Sequence, residues 1–189
     1  MQVFRIFLSN LLITGFFLAV VPATAEEAMV KLTLAGEAYK GPPAFQVDFA
    51  DTKIGEGAVD KAIDTTTDGR IFKQSDWAPY TQTFTFAIPG DVFKADGTVS
   101  VKLTNDDWGG PGSNQDRTLI LIHAVIDGIE VPAKDFVWME KGETKQMPKG
   151  SKGLVLGINK AVAIANPPSG GWPSAKTAPP APVAGTETP

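Results

Sequence analysis

The sequence predicts an all-β fold, an antiparallel β-sandwich of jelly-roll-like form. Three observations predict it. Apolar residues recur at every second position in run after run, Gly, Pro or Asp bounds each run, and no stretch of ten or more residues carries a helical stripe. Many short strands, each apolar on one face and separated by turns, bury those faces by packing as two sheets.

The elements follow in chain order. Residues 1–25 stand outside the fold: Arg5 gives a basic start, Ile6 to Val21 is an apolar run, and Ala23-Thr24-Ala25 supplies small residues for cleavage before Glu26. That layout is a secretory signal peptide, and the expected location is secreted or periplasmic. Val30, Leu32 and Leu34 alternate with Lys31 and Thr33. Phe45, Val47 and Phe49 alternate with Gln46 and Asp48. Val59 to Ile63 is read as a single helical turn. Phe84, Phe86 and Ile88, then Val99, Val101 and Leu103, form two more alternating runs. Each of these runs reads as a half-buried strand. Thr118 to Ile126 is apolar on both parities and reads as a central strand covered on both faces. Val131, Phe136 to Met139, Leu154 to Ile158 and Ala161 to Ala165 read as further short strands. From Asn166 the text turns to Pro, Ala, Gly, Ser and Thr, and the expected domain is 26–165 with a disordered tail over 166–189.

Composition excludes several classes. The chain of 189 residues has no cysteine, so an exported fold relies on its core without disulfides. Its net charge of −4, with no basic stripe, gives nucleic-acid binding no electrostatic footing. After the leader, no stretch is long and apolar enough to span a bilayer. His123 is the single histidine, set mid-strand among apolar neighbours, so neither a histidine–cysteine zinc site nor a Ser-His-Asp triad is supported. Phosphate-cradling glycine motifs are absent from the sequence.

The informative stretch is Leu103 to Gly128. Asp106, Asp107 and Asp116 flank a glycine-rich loop, and the central strand follows at once. Loop carboxylates and exposed carbonyls suit a hard cation such as calcium, which takes about six to eight oxygens in flexible geometry. Asp106 and Asp116 face one point if the loop folds back; the competing role for such residues is turn capping. Trp108 lies beside the acids, where its ring can stack on a pyranose. Arg117 either orients the carboxylates, contacts a sugar, or makes a surface salt bridge. Tyr39 and Trp77 are either ligand-facing rings or part of the core.

The order of motifs resembles the calcium-dependent, xylan-binding carbohydrate-binding modules. The matching residues are Tyr39-Lys40-Gly41-Pro42-Pro43-Ala44-Phe45, Ile54-Gly55, Trp77 with the aromatic-rich run Tyr80 to Phe86, Val99-Ser100-Val101, Asn105-Asp106-Asp107-Trp108-Gly109-Gly110, Asp116-Arg117-Thr118-Leu119 and Asp127-Gly128. The resemblance covers about Val30 to Val131. It implies a β-sandwich without catalysis whose calcium is completed by vicinal hydroxyls of the sugar. Asp106 and Asp116 fall on the acidic positions of the two loop motifs, with Asp107 as an additional acid. Pro42 and Thr118 depart from the pattern, standing where a polar or acidic residue and an Asn are common. The expected partner is a polysaccharide, xylan-like or an envelope glycan, bound by an exported stand-alone module. The alternative is an exported structural or interaction protein that keeps the sandwich without the sugar site.

Overall fold

The computed structural model describes residues 27–173. The leader expected over 1–25, and residues 174–189 of the expected tail, lie outside the described residues. Twelve strands alternate between two six-stranded sheets. The first sheet holds β1 (Met29–Ala38), β4 (Ile63–Asp64), β5 (Thr81–Ala87), β7 (Thr118–Ile126), β8 (Ile129–Pro132) and β11 (Leu154–Leu156). The second runs β10 (Glu143–Lys145), β9 (Val137–Glu140), β12 (Ala161–Ala165), β6 (Val99–Leu103), β2 (Ala44–Phe49) and β3 (Thr52–Ala58). All pairings are antiparallel except the short β1–β4 contact at Glu37 and Ala38. The expected β-sandwich is what forms.

The inward parity of each expected strand builds the core. Val30, Leu32 and Leu34 of β1 meet Phe45, Val47 and Phe49 of β2 and Val99, Val101 and Leu103 of β6 in one cluster. β7 is central, paired with β1, β8 and β11. Leu119 and Leu121 face the main core, while Ile120 points the other way into a second cluster with Ala35, Ile63 and Ile71. The two-sided apolar character of its first half is therefore real. A bulge then breaks the alternation. Thr33 of β1 opposes His123, and Leu34 opposes Leu121. Ile122 is the extra residue, so Ile122 and His123 both turn outward before Ala124 returns to the core.

Three tight hairpins join β2 to β3, β7 to β8 and β9 to β10. Ala50-Asp51, Asp127-Gly128 and Lys141-Gly142 each place both central residues at positive φ, the conformation that matches the right-handed twist of the flanking strands. β3 follows the first of these, and its glycines let the sheets close up: a Cβ on Gly55 would overlap the Phe86 ring. Val59 to Ile63 does not make the expected helical turn. It forms a turn, Ala62 N–H donating to Val59 O at 3.0 Å, that delivers Ile63 to the edge of β1. The helical content among the described residues is three 3-10 turns, at Ile71–Lys73, Ala78–Tyr80 and Ala133–Asp135.

The expected domain end at 165 falls short. Residues 166–173 continue across the sandwich, and Trp172 is fully buried in the main core. Its Nε1–H donates to Gly97 O at 2.6 Å and its backbone N–H to Ala95 O at 3.0 Å. A polar, proline-rich composition hides one large anchor that outweighs the ordering entropy of the segment around it. Trp172→Ala is expected to destabilise the protein by about 3–5 kcal/mol in urea unfolding, the range for a buried aromatic truncated in a packed core. An unchanged midpoint would show that the anchor is dispensable.

Candidate functional site

The site grows from the end of β6. Past Leu103, the Asn105 side chain continues the ladder: its Oδ1 accepts from Ala44 N–H at 2.7 Å and its Nδ2 donates to Pro42 O at 3.0 Å. The chain then folds back on itself. Arg117 N–H donates to Asp107 O at 2.8 Å, Gly109 N–H donates to Gln115 O at 3.0 Å, and Trp108 and Asp116 form an isolated antiparallel bridge. Gly110 and Gly112, both at positive φ, close the loop with a Gly110–Ser113 turn. The fold-back that the spacing of Asp106 and Asp116 required is present.

Arg117 holds this arrangement together. It is 9% exposed, and its guanidinium donates to the carbonyls of Tyr39, Lys40, Gly41 and Asn105. The flat fork of donors suits such a carbonyl cage, where an ammonium would not reach every oxygen. Arg117 was expected to orient the carboxylates, contact a sugar or make a surface salt bridge; the structure gives its guanidinium a backbone-clasping role. Every nitrogen of the guanidinium donates to a backbone carbonyl, and the side chain is buried, so it is not a surface salt bridge. Asp107 lies 4.0 Å from its Nη2.

A second arginine anchors Asp116. Glu37, fully buried on β1, accepts from Arg70 Nε and from Ile71 N–H, both at 2.8 Å, and pairs with Arg70 Nη2 at 2.6 Å. Arg70 Nη2 reaches Asp116 Oδ2 at 3.1 Å. Burial works against the Arg70 charge, but Glu37 and Asp116 outweigh it and hold its pKa above the usual value. Thr65 ties the same strand end: its hydroxyl donates to Ala38 O at 2.8 Å and accepts from Asp116 N–H at 3.1 Å. Neither Glu37 nor Arg70 figured among the residues expected from sequence. The available signal was an acid inside a strand whose neighbours are buried, which requires a cationic partner.

The three aspartates share one neighbourhood with different partners. Asp107 Oδ1 accepts from Trp108 N–H at 2.9 Å, and its Oδ2 faces Lys40 Nζ at 3.5 Å. Asp116 faces Arg70. Asp106 makes no ion pair among the described residues, and its N–H donates to Asn159 Oδ1 at 2.7 Å. Partial burial pushes the Asp106 carboxyl above its ordinary 3.8, and the charges of Asp116 and Asp107 push it further; Arg117 opposes them. Trp108 is 55% exposed on the rung opposite Asp116. Tyr39 is half-buried, its ring under the Lys40 ammonium at 4.6 Å, and it lines an open groove of about 560 Å³ with Pro42, Asp64 and Thr66. Trp77, the other ring in question, packs half-buried against the Ile63–Ile71–Ile120 cluster.

Oxygen is the only ligand chemistry here, which suits a hard cation, and the repulsion at Asp106 is what a bound cation would relieve. Against that, Asp107 and Asp116 already face side-chain cations. Among the described residues no group of three or more His, Cys, Asp or Glu is arranged to hold a metal ion. The donor set fits calcium in kind, and Asp106 is its unpaired member.

The site therefore defines a β-sandwich with a loop-borne cluster of carboxylates beside an exposed indole. No family model matches the chain, and no curated protein matches it. Two solved structures are similar to it. One is vCBM60 in complex with galactobiose, 14% identical with a TM-score of 0.45, covering 73% of this chain and 98% of that one. The other is a selenomethionine form of vCBM60, described in terms of a circular permutation linking two families of calcium-dependent carbohydrate binding modules. It is 14% identical with a TM-score of 0.44, covering 74% of this chain and 91% of that one.

Two outcomes are expected. Arg117→Ala orphans four carbonyls and removes the packing of the guanidinium; a loss of at least about 3 kcal/mol in denaturant unfolding is expected, because each buried group left unsatisfied costs about 1–3 kcal/mol. The second concerns Asp106. A carboxyl whose folded pKa is raised contributes stability below its unfolded value and loses it as pH rises through the folded one. Without metal, Asp106→Asn should therefore melt higher than the parent at neutral pH, and the difference should close below the ordinary value of 3.8. A variant that melts lower at neutral pH would show that Asp106 is stabilising.

Proposed function

We propose that this protein is an exported, noncatalytic carbohydrate-binding domain. Its sugar site is the Trp108 face of the folded-back loop, and calcium takes part through Asp106, with Asp107 and Asp116 beside it. One observation carries the reading: Trp108 stands 55% exposed on the rung opposite Asp116, beside an acidic cluster in which burial, and then the charges of Asp116 and Asp107, raise Asp106. A ring held out in water by a paired backbone offers a flat apolar face at little conformational cost, and sugars present matching apolar faces. Calcium, when bound, would offer open coordination positions to vicinal hydroxyls. The chain's own residues do the rest: Arg117 fixes the loop, Thr65 and Arg70 fix Asp116, and Tyr39 borders a groove it shares with Lys40, the cation that faces Asp107. Xylan heads the glycans to be tested, on the sequence resemblance.

A second reading is favoured by a specific observation. Lys40, Arg70 and Arg117 already face Asp107 and Asp116. In that reading the arginines do the work of a cation, and the sandwich serves as an interaction protein without a sugar site.

The deciding measurement is thermal melting with and without millimolar calcium, run beside binding to a panel of xylans and glucans. A ligand that binds only the folded state must raise the melting temperature. Calcium is expected to raise it for the parent and not for Asp106→Asn, the cleanest substitution because it orphans no ion-pair partner. Chelator is expected to abolish glycan binding while the fold persists. Trp108→Ala should weaken glycan binding and leave the calcium response intact, since an indole supplies no oxygen ligand. No glycan binding in saturating calcium would favour the interaction protein.

A further inference from the structure

Among the described residues, two aromatic rings are exposed, Trp108 and Phe72. Both are tied to Asp116. Trp108 bridges it through the backbone, and Phe72 reaches it through Arg70, whose guanidinium lies 3.1 Å from the Asp116 carboxylate and 5.9 Å from the centre of the Phe72 ring. Phe72 is 48% exposed, yet it is held in place. Its neighbour Ile71 is fully buried, with its N–H donating to Glu37, so the 3-10 turn must turn the next side chain outward.

Beyond Phe72 the surface continues as a groove. The Phe72 ring meets Trp77 edge to face at 5.7 Å. Trp77 lines two adjoining depressions of about 480 and 220 Å³. The larger is floored by Ile122 and His123, the residues the β7 bulge turns outward, and walled by Thr33, Asp76 and Lys152. Lys152 Nζ donates to Ser75 O at 3.0 Å and lies 5.3 Å over the Trp77 ring. The groove thus combines the apolar Ile122 and the His123 imidazole on its floor with hydroxyl, carboxylate and ammonium groups on its walls. That mixture suits a ligand with apolar ring faces and hydroxyl edges, and the contacts from Trp108 to Asp116, Asp116 to Arg70 and Arg70 to Phe72 link it to the Trp108 face.

We propose that Phe72 and the Trp77 groove form a second sugar subsite. The ligand is then a polysaccharide chain lying from Trp108 across Arg70 to Trp77, not a terminal sugar. This rests on the sugar-binding reading of the Trp108 face. Distributed contacts of this kind gain affinity with chain length, because each added unit that finds a platform adds contact without a second association cost.

The test is calorimetric binding of xylobiose and xylohexaose, with cellobiose and cellohexaose alongside, to the full chain in calcium. The parent is expected to bind a hexaose more tightly than its biose. Phe72→Ala is expected to lose roughly tenfold on the hexaose, the equivalent of one aromatic contact, and nothing on the biose. Trp108→Ala should weaken both. Phe72 makes an exposed contact, so the variant should keep the parent's melting temperature, and that is measured first. If Phe72→Ala binds the hexaose as the parent does, or if parent affinity does not rise with length, the second subsite is wrong while the Trp108 site stands. If the parent binds none of the four sugars, both readings fall together.

Discussion

One buried guanidinium organises the working end of this molecule. Arg117 draws the carbonyls of Tyr39, Lys40, Gly41 and Asn105 onto a single guanidinium. Those oxygens belong to two separate segments, the exit from β1 and the exit from β6, and Arg117 itself immediately precedes β7. None of the three could hold that position alone, because carbonyls turned inward without donors are costly and a buried charge without partners is costlier. Each cost cancels the other. Tyr39, Asp107 and Trp108 take their places because this clasp places their backbones.

Charge balance at the same end follows from a second arginine. Arg70 serves Glu37, which has no exposed surface, and then extends to Asp116. The acids outnumber the cations that can reach them, and the excess falls on Asp106. Calcium, if it binds, therefore enters a field already shaped by two fixed arginines. Only the local surplus of negative charge is open to it. Its affinity is then set by how far Lys40, an exposed and loosely held cation, yields Asp107.

The sequence made the main strands legible because burial on one face imposes alternation, as in Val30-Leu32-Leu34 and Val99-Val101-Leu103. It left β3 and β10 hidden. Both are edge strands reached through two-residue turns, Ala50-Asp51 and Lys141-Gly142; β10 is short, and Thr52 to Ala58 carries glycines where an alternating pattern would need side chains. Trp172 was hidden by its surroundings, since composition averages over a window and one anchor does not shift the average. The gathering of the loop acids was legible because a glycine-rich segment between Asp107 and Asp116 lets the chain fold back on itself. Arg117 was not, because its partners are backbone oxygens, which every residue has. Phe72 escaped for a related reason: its exposure depends on the pinning of Ile71 by Glu37, a contact between residues 34 positions apart.

The direction of β1 and β6 gives the molecule two poles. β1 begins at Met29 and ends beside Tyr39, some 30 Å away at a strand's rise per residue. β6 runs the same way, from the Ala95–Gly97 segment, where Trp172 is seated, toward Asn105 and the acidic loop. The first and last described residues therefore emerge together at the pole away from Trp108. The Trp108 loop is thus the end of the sandwich farthest from both, its indole held out from the core like the head of a pin.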